Sequence, residues 1–151
     1  MTYRICRTFD VESGHQLAKH PGPCRFPHGH SRRVEVVLES DRLDAHGMVC
    51  DFSVVKQAAR EVIEAFDHAL CLNTREPMYA TFREAYGERI IGFENEDPTT
   101  EVIARTLFER IQANLVAYAK QSEARYPLDP AVRLVRVRVW ETAHGWAEYG
   151  V

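Results

Sequence analysis

Hydrophobic periodicity along this chain switches twice, from every second residue to every third or fourth and back again, and few folds absorb that order. Residues 3–12 alternate, with Tyr3, Ile5, Phe9 and Val11 on one side and Arg7 interrupting them. Residues 13–30 carry Gly14, Pro21, Gly22, Pro23, Pro27 and Gly29, which is loop chemistry. Residues 30–39 alternate again, Val34, Val36 and Leu38 against Arg33, Glu35 and Val37, and a turn follows at 44–47. Val54, Val55, Ala58, Ala59, Val62, Ile63 and Phe66 then form one helical stripe, predicting a helix over 52–66 capped by Asp51 and running into Asp67-His68. Residues 74–97 keep no steady period and read as an irregular excursion with a short helical turn near 80–86. Asp97-Pro98 predicts a second helix, Asp97 as its cap, with Ile103, Ala104, Leu107, Phe108, Ile111, Leu115 and Tyr118 on the buried face. Alternation returns at 132–141 and 145–149.

The order β-β-α-α-β-β over one domain, residues 1–151, predicts an α+β fold. Its expected form is a four-stranded antiparallel sheet with both helices on one face. Such a sheet leaves two open edges, and pairing edge to edge between copies is the natural way to close them.

Composition narrows the function classes. The net charge of -3 argues against a nucleic-acid partner, which calls for a basic face. No apolar run near the N-terminus is long enough for a signal peptide or a membrane span, so a cytoplasmic protein with no membrane partner is expected. In that compartment Cys6, Cys24, Cys50 and Cys71 stay reduced, and no CxxC pair among them forms a zinc knuckle.

Histidine is the unusual residue, with seven in the chain and His15, His28 and His30 close together. Residues two apart on a strand share a face, so His28 and His30 can hold one ion, with Gly29 letting the backbone bend toward it. His15 lies just past the first strand, whose end should adjoin the start of the second in a hairpin. Three imidazoles suit Zn2+ with an open fourth position. The plainer alternative is a polar loop with solvated histidines. Cys24, four residues before His28, is open to two roles. A thiol beside a dication loses its proton readily and can serve as a base; the same thiol could close the site as a fourth ligand.

The stretch CRFPHGHS resembles the Cys-x-x-x-His-x-His signature of bacterial 6-carboxy-tetrahydropterin synthases of the queuosine pathway. The related 6-pyruvoyl-tetrahydropterin synthases have a longer Cys-to-His gap. FDVESGHQL, GMVCDFSVVK, DPTTEVIA and VWETAHGWAEY agree with the family in the same order, so the resemblance omits little beyond 74–97 and 120–131.

The resemblance implies the tunnelling fold, with subunits joining sheets into trimers and two trimers stacking into a homohexamer, active sites lying between subunits. It implies His15, His28 and His30 as zinc ligands, Cys24 as general base, Asp67 and His68 as a second proton-transfer pair, and Glu141 as the pterin anchor. Thr99, Thr100 and Glu101 resemble a segment that helps hold the pterin. A carboxylate suits the anchor role because the pterin 2-amino group and N3-H are adjacent donors. Zinc would bind the substrate's side-chain hydroxyls and acidify nearby protons.

Each of these residues also has a structural alternative. Asp67-His68 suits a helix C-terminus, Thr99-Thr100-Glu101 suits a helix first turn, and Glu141 could be an exposed strand end. Three departures from the family stand out. Arg32 replaces an aromatic residue after HGHS, DHALCLN carries one extra residue beside the dyad, and 74–97 is longer than the usual connection. The expected activity is a zinc lyase that makes 6-carboxy-tetrahydropterin from 7,8-dihydroneopterin triphosphate. The alternatives are the 6-pyruvoyl product and a non-catalytic zinc-stapled pterin-binding oligomer.

Overall fold

Two antiparallel hairpins form the centre of the sheet. The computed structural model describes residues 1–151. Strand β1 (Tyr3–His15) pairs antiparallel with β2 (His28–Ser40) along thirteen positions, from Tyr3 opposite Ser40 to His15 opposite His28. β2 pairs with β5 (Arg133–Thr142), and β5 with β6 (Gly145–Gly150), both antiparallel. Beside the hairpins lie three helices, α1 (Phe52–Glu64), α2 (Tyr79–Tyr86) and α3 (Thr100–Ala119).

The sheet has six strands rather than four, and it is mixed. β3 (Ala69–Asn73) pairs parallel with the end of β1, and β4 (Ile90–Phe93) pairs parallel with β3, giving the order β4-β3-β1-β2-β5-β6. Both added strands are short apolar runs whose residues do not alternate, the pattern of a strand buried on two faces. The segment 74–97 therefore contributes a helix and a strand; α2 falls where the short helical turn was expected.

Strand parity separates the two faces. On one face Val34, Val36 and Leu38 of β2 and Val137 and Val139 of β5, all at most 3 % exposed, meet α1 and α3 in a core of 22 residues. Helix residues Val54, Val55, Ala59, Ile63, Leu107 and Ile111 complete it. Each buried valine, leucine or isoleucine among them contributes about 1.5–3 kcal/mol. α1 and α3 also touch each other, so both helices lie on this face as expected.

The opposite face is charged along β1, β2, β5 and β6, while α2 lies over it at β4, with Tyr79 above Gly92. Glu39 is gripped by Arg4 at 2.8 Å and by Arg133, which holds its carboxyl below the usual carboxylate range. Arg138 reaches Glu148 at 2.8 Å and stacks 3.7 Å from the Trp146 ring centroid.

Two caps show where sequence reading works and where it fails. Asp51 caps α1, accepting from Ser53 N–H at 2.8 Å. An Asp51→Ala change should cost about 1 kcal/mol, seen as a lower urea midpoint with unchanged slope. Asp97, by contrast, does not cap α3. Thr99 does, its hydroxyl accepting from Val102 N–H at 3.2 Å. The Asp97 carboxylate instead accepts from Lys19 N–H at 2.8 Å and Asn73 Nδ2 at 3.0 Å, tying the β1–β2 loop to β3.

Candidate metal centre and ligand site

The core-facing parity of the first hairpin continues beyond its apolar part into a polar end. From Leu38, Val36 and Val34 the same row of β2 runs on through Arg32, His30 and His28, with Ser13 and His15 opposite on β1. β1 reaches His15, three residues past the expected strand end at 12, so the whole triad rests on paired strands. Glu141 of β5 and Thr100 at the start of α3 close over this end.

His15, His28 and His30 converge. One ring nitrogen from each lies within 4.8 Å of the others, and the three rings stand edge to face at centroid separations of 4.6–5.1 Å. Hydrogen bonds fix which nitrogen is free. Nδ1 of His15 lies 2.8 Å from the Pro98 carbonyl and Nδ1 of His28 lies 2.7 Å from the Phe26 carbonyl. A carbonyl only accepts, so both Nδ1 atoms carry hydrogen and Nε2 presents its lone pair. That is the arrangement of a metal-ligating histidine with an oriented second nitrogen. Nε2 of His15 and of His30 are buried without a protein partner, as atoms awaiting an ion would be.

Burial takes the His15 imidazole down to about pKa 4, against the Pro98 hydrogen bond, with Arg32 and the other two histidines adding to the lowering. His30 is lowered as well, by burial first and then by Arg32. A neutral imidazole is the form that binds a metal. The donor set therefore fits Zn2+, three nitrogens with no charge to neutralise the ion.

The His15 shift has a consequence for stability. In the metal-free protein the unfolded chain takes up this proton near pH 6.5, the folded chain only near 4. The unfolded state therefore binds more protons between those values. Stability should be full above about 6.5 and fall with pH by about 1.4 kcal/mol per unit toward 4. Urea midpoints of the metal-free protein across that window should show the decline, and His15→Asn should flatten it.

Glu141 stands beside the triad, Oε1 lying 3.5 Å from His15 Nε2 and 3.7 Å from His30 Nε2. Burial works to raise its carboxyl, but the Thr100 hydroxyl and the nearby His30, Arg32 and His15 outweigh it, and the group is held below its ordinary value. Thr100 donates to Oε1 at 2.8 Å. Of the TTE segment, Thr100 alone bonds to Glu141; Thr99 is spent on capping and Glu101 is exposed.

Asp67 and His68 lie past the end of α1, where the backbone has left the helix. His68 takes a φ of 54°, and its Nδ1 lies 2.9 Å from Asp67 Oδ2. Glu12 of β1 anchors the pair, its N–H donating to Asp67 Oδ1 at 2.9 Å and its carbonyl accepting from His68 N–H at 2.6 Å. The Glu12 hydrogen bond first, and His68 second, hold the Asp67 carboxyl low. Both side chains are substantially exposed. Cys24 sits in a 3-10 turn, Pro23–Arg25, with its carbonyl accepting from Leu17 N–H at 3.0 Å. The converging donor set contains three imidazoles and no thiol.

Arg32 is the residue whose place in the site sequence reading left unresolved. Only 2 % exposed, it lies on the same row as His30 and Val34 and donates from Nη1 to Thr100 Oγ1 at 3.1 Å. The signal was its parity, an arginine at a position where the neighbours on either side face inward.

A mixed six-stranded sheet with three converging histidines and an adjoining carboxylate defines the class, an α+β protein with a histidine triad that could hold a metal. The chain belongs to the 6-pyruvoyl tetrahydropterin synthase family, whose model matches residues 4–150. A 6-carboxy-5,6,7,8-tetrahydropterin synthase of Aquifex aeolicus is 31% identical, with 99% of this chain and 98% of that one aligned. A protein of the same name from Haemophilus influenzae is 28% identical over 97% of this chain and 98% of its own length. Among solved structures, an uncharacterised Wolinella succinogenes protein has a TM-score of 0.77 at 23% identity, covering 99% of this chain and 98% of its own. A 6-pyruvoyltetrahydropterin synthase of Plasmodium vivax, in a catalytic-residue mutant, gives 0.72 at 16%, covering 100% and 99%. At these identities the structures establish a shared fold. No helix of the chain is long and apolar enough to cross a membrane.

Proposed function

We propose that this chain is a zinc-dependent lyase that converts 7,8-dihydroneopterin triphosphate to 6-carboxy-5,6,7,8-tetrahydropterin. The observation that carries the reading is the Glu141 carboxylate 3.5–3.7 Å from two of three converging imidazoles, one anchor beside one metal seat. Relatives that align along nearly the full chain bear the 6-carboxy name, which favours that product over the 6-pyruvoyl one.

Each residue has a task in this scheme. Thr100 uses one lone pair of Glu141 Oε1, so both carboxylate oxygens accept from the pterin, one from the 2-amino group and one from N3-H, setting the ring beside the triad. His15, His28 and His30 would hold the zinc, the tautomers of His15 and His28 fixed by the Pro98 and Phe26 carbonyls. When bound, zinc supplies Lewis acidity to the hydroxyls of the substrate side chain. Cys24 takes a proton from that side chain, and His68 exchanges one on the other side, oriented by Asp67. The overall change releases triphosphate and acetaldehyde and consumes one water.

A homohexamer with sites between subunits completes the proposal. It is supported by the two open sheet edges, β4 and β6, and by the exposure of the Asp67-His68 pair. Light scattering on the purified protein checks the assembly.

The deciding experiment mixes zinc-loaded protein with dihydroneopterin triphosphate and identifies the products by mass spectrometry. A 6-carboxy product with acetaldehyde is expected. A 6-pyruvoyl product would move the chain to the sister reaction with the same site roles. Absence of turnover by folded, zinc-loaded protein would overturn the substrate assignment.

A further inference from the structure

Arg32 is 2 % exposed and forms no direct ion pair with a carboxylate, and its Nε and Nη2 are buried without partners. A buried guanidinium is costly unless its charge is answered nearby. The answering charge is Glu141, reached through one intervening hydroxyl. Arg32 Nη1 donates to Thr100 Oγ1 at 3.1 Å, and Thr100 Oγ1 donates to Glu141 Oε1 at 2.8 Å.

The direction of this chain is not free. A guanidinium has donors only, so Thr100 must accept from it. A hydroxyl has one hydrogen, and with a lone pair taken by Arg32 that hydrogen is aimed at Glu141. Thr100 is itself 7 % exposed and fixed at the first position of α3, immediately after the Thr99 cap, so the relay has little room to rearrange.

We propose that Arg32 is a positioning residue for Glu141. It sets the Thr100 hydroxyl so that the carboxylate is pinned at Oε1 and presents its remaining lone pairs, one on each oxygen, to a ligand edge carrying two adjacent donors. This rests on the reading of Glu141 as the pterin anchor. In physical terms, β2 supplies two of the three imidazoles and, two residues past His30, the cation that orders the anchor. Metal seat and ring seat are thereby held in one register.

The consequence falls on binding rather than on proton transfer. Removing the guanidinium frees the Thr100 hydroxyl to turn and the Glu141 carboxylate to change rotamer. The pterin then pays for ordering them, while the hydrogen bonds that orient His15, His28 and the Asp67-His68 pair are kept.

The test compares Arg32→Met, Arg32→Lys, Thr100→Val and Glu141→Gln, each loaded with zinc. Fluorescence titration with 7,8-dihydropterin, which lacks the triphosphate, gives Kd, and steady-state turnover gives KM and kcat. For Arg32→Met the expected result is a Kd and KM about tenfold to hundredfold higher, the range of one charge-assisted hydrogen bond. Zinc should stay at one per chain and kcat should change little. Thr100→Val should match it, the double variant should be no worse than either single, and Arg32→Lys should recover part of the loss. An unchanged Kd in Arg32→Met, or additive effects in the double variant, would overturn the proposal. If Arg32→Met does not fold, Thr100→Val alone decides, because an unchanged Kd there breaks the relay argument. An unchanged Kd in Glu141→Gln would instead show that the anchor reading itself is wrong.

Discussion

The Cys24→Ala protein is expected to keep one zinc ion per chain and to lose roughly 10²- to 10⁴-fold in kcat, the range of a general base. The three converging imidazoles do not include this thiol, so its removal leaves the donor set whole. Cys24 is held on its own 3-10 turn by backbone contacts, chiefly Leu17 N–H to its carbonyl, and the side chain is not needed to keep that turn. Metal content by atomic absorption and single-turnover rates on the same sample separate the two roles. Zinc lost together with activity would mean that the thiol closes the metal site, and the catalytic assignment would fall.

His30→Ala should behave in the opposite way, losing zinc and activity together while still folding. His30 is the better choice than His15 for this test. The His15 ring is 1% exposed and bonded to Pro98, so its loss opens a cavity under α3, whereas His30 is 18% exposed at its side chain. Changes one step removed from a metal cost about 10- to 100-fold in affinity, and loss of a direct ligand should exceed that. The second signature is thermal. Zinc bound at a thousandfold excess over its Kd stabilises the native state by about 4 kcal/mol, so a chelator should lower the melting point of the parent protein. The His30→Ala protein should melt at the chelated value with or without chelator. Stoichiometric zinc in His30→Ala would remove this residue from the ligand set.

Much of this architecture was legible because the chain repeats its signals. All four alternating strands and the first helix lie within about three residues of where periodicity put them, and Asp51 caps as expected. His28 and His30 were placed on one face by spacing alone, and His15 by the hairpin, and the structure brings all three together. What escaped was tertiary in origin. ALCLN and IIGF are too short to show a period and become strands only by pairing parallel to β1 and to each other. Asp97-Pro98 looks like a helix start, but three other segments draw on that aspartate and proline. Lys19 and Asn73 bond the carboxylate, and His15 bonds the Pro98 carbonyl. The cap moved two residues on. The Asp67-His68 pair could be named from sequence, but its ring-to-carboxylate bond depends on the left-handed backbone at His68, which no propensity marks.

His15 and His28 face each other across the last rung of the first hairpin, and everything between them is loop. All three imidazoles belong to the paired strands below that loop, and among their ring hydrogen bonds only that of His28, to the Phe26 carbonyl, reaches into it. The thiol belongs to the loop. Insertion or deletion between the two strands would therefore move the Cys24 thiol relative to the three imidazoles while the strand pairing that brings the imidazoles together is kept.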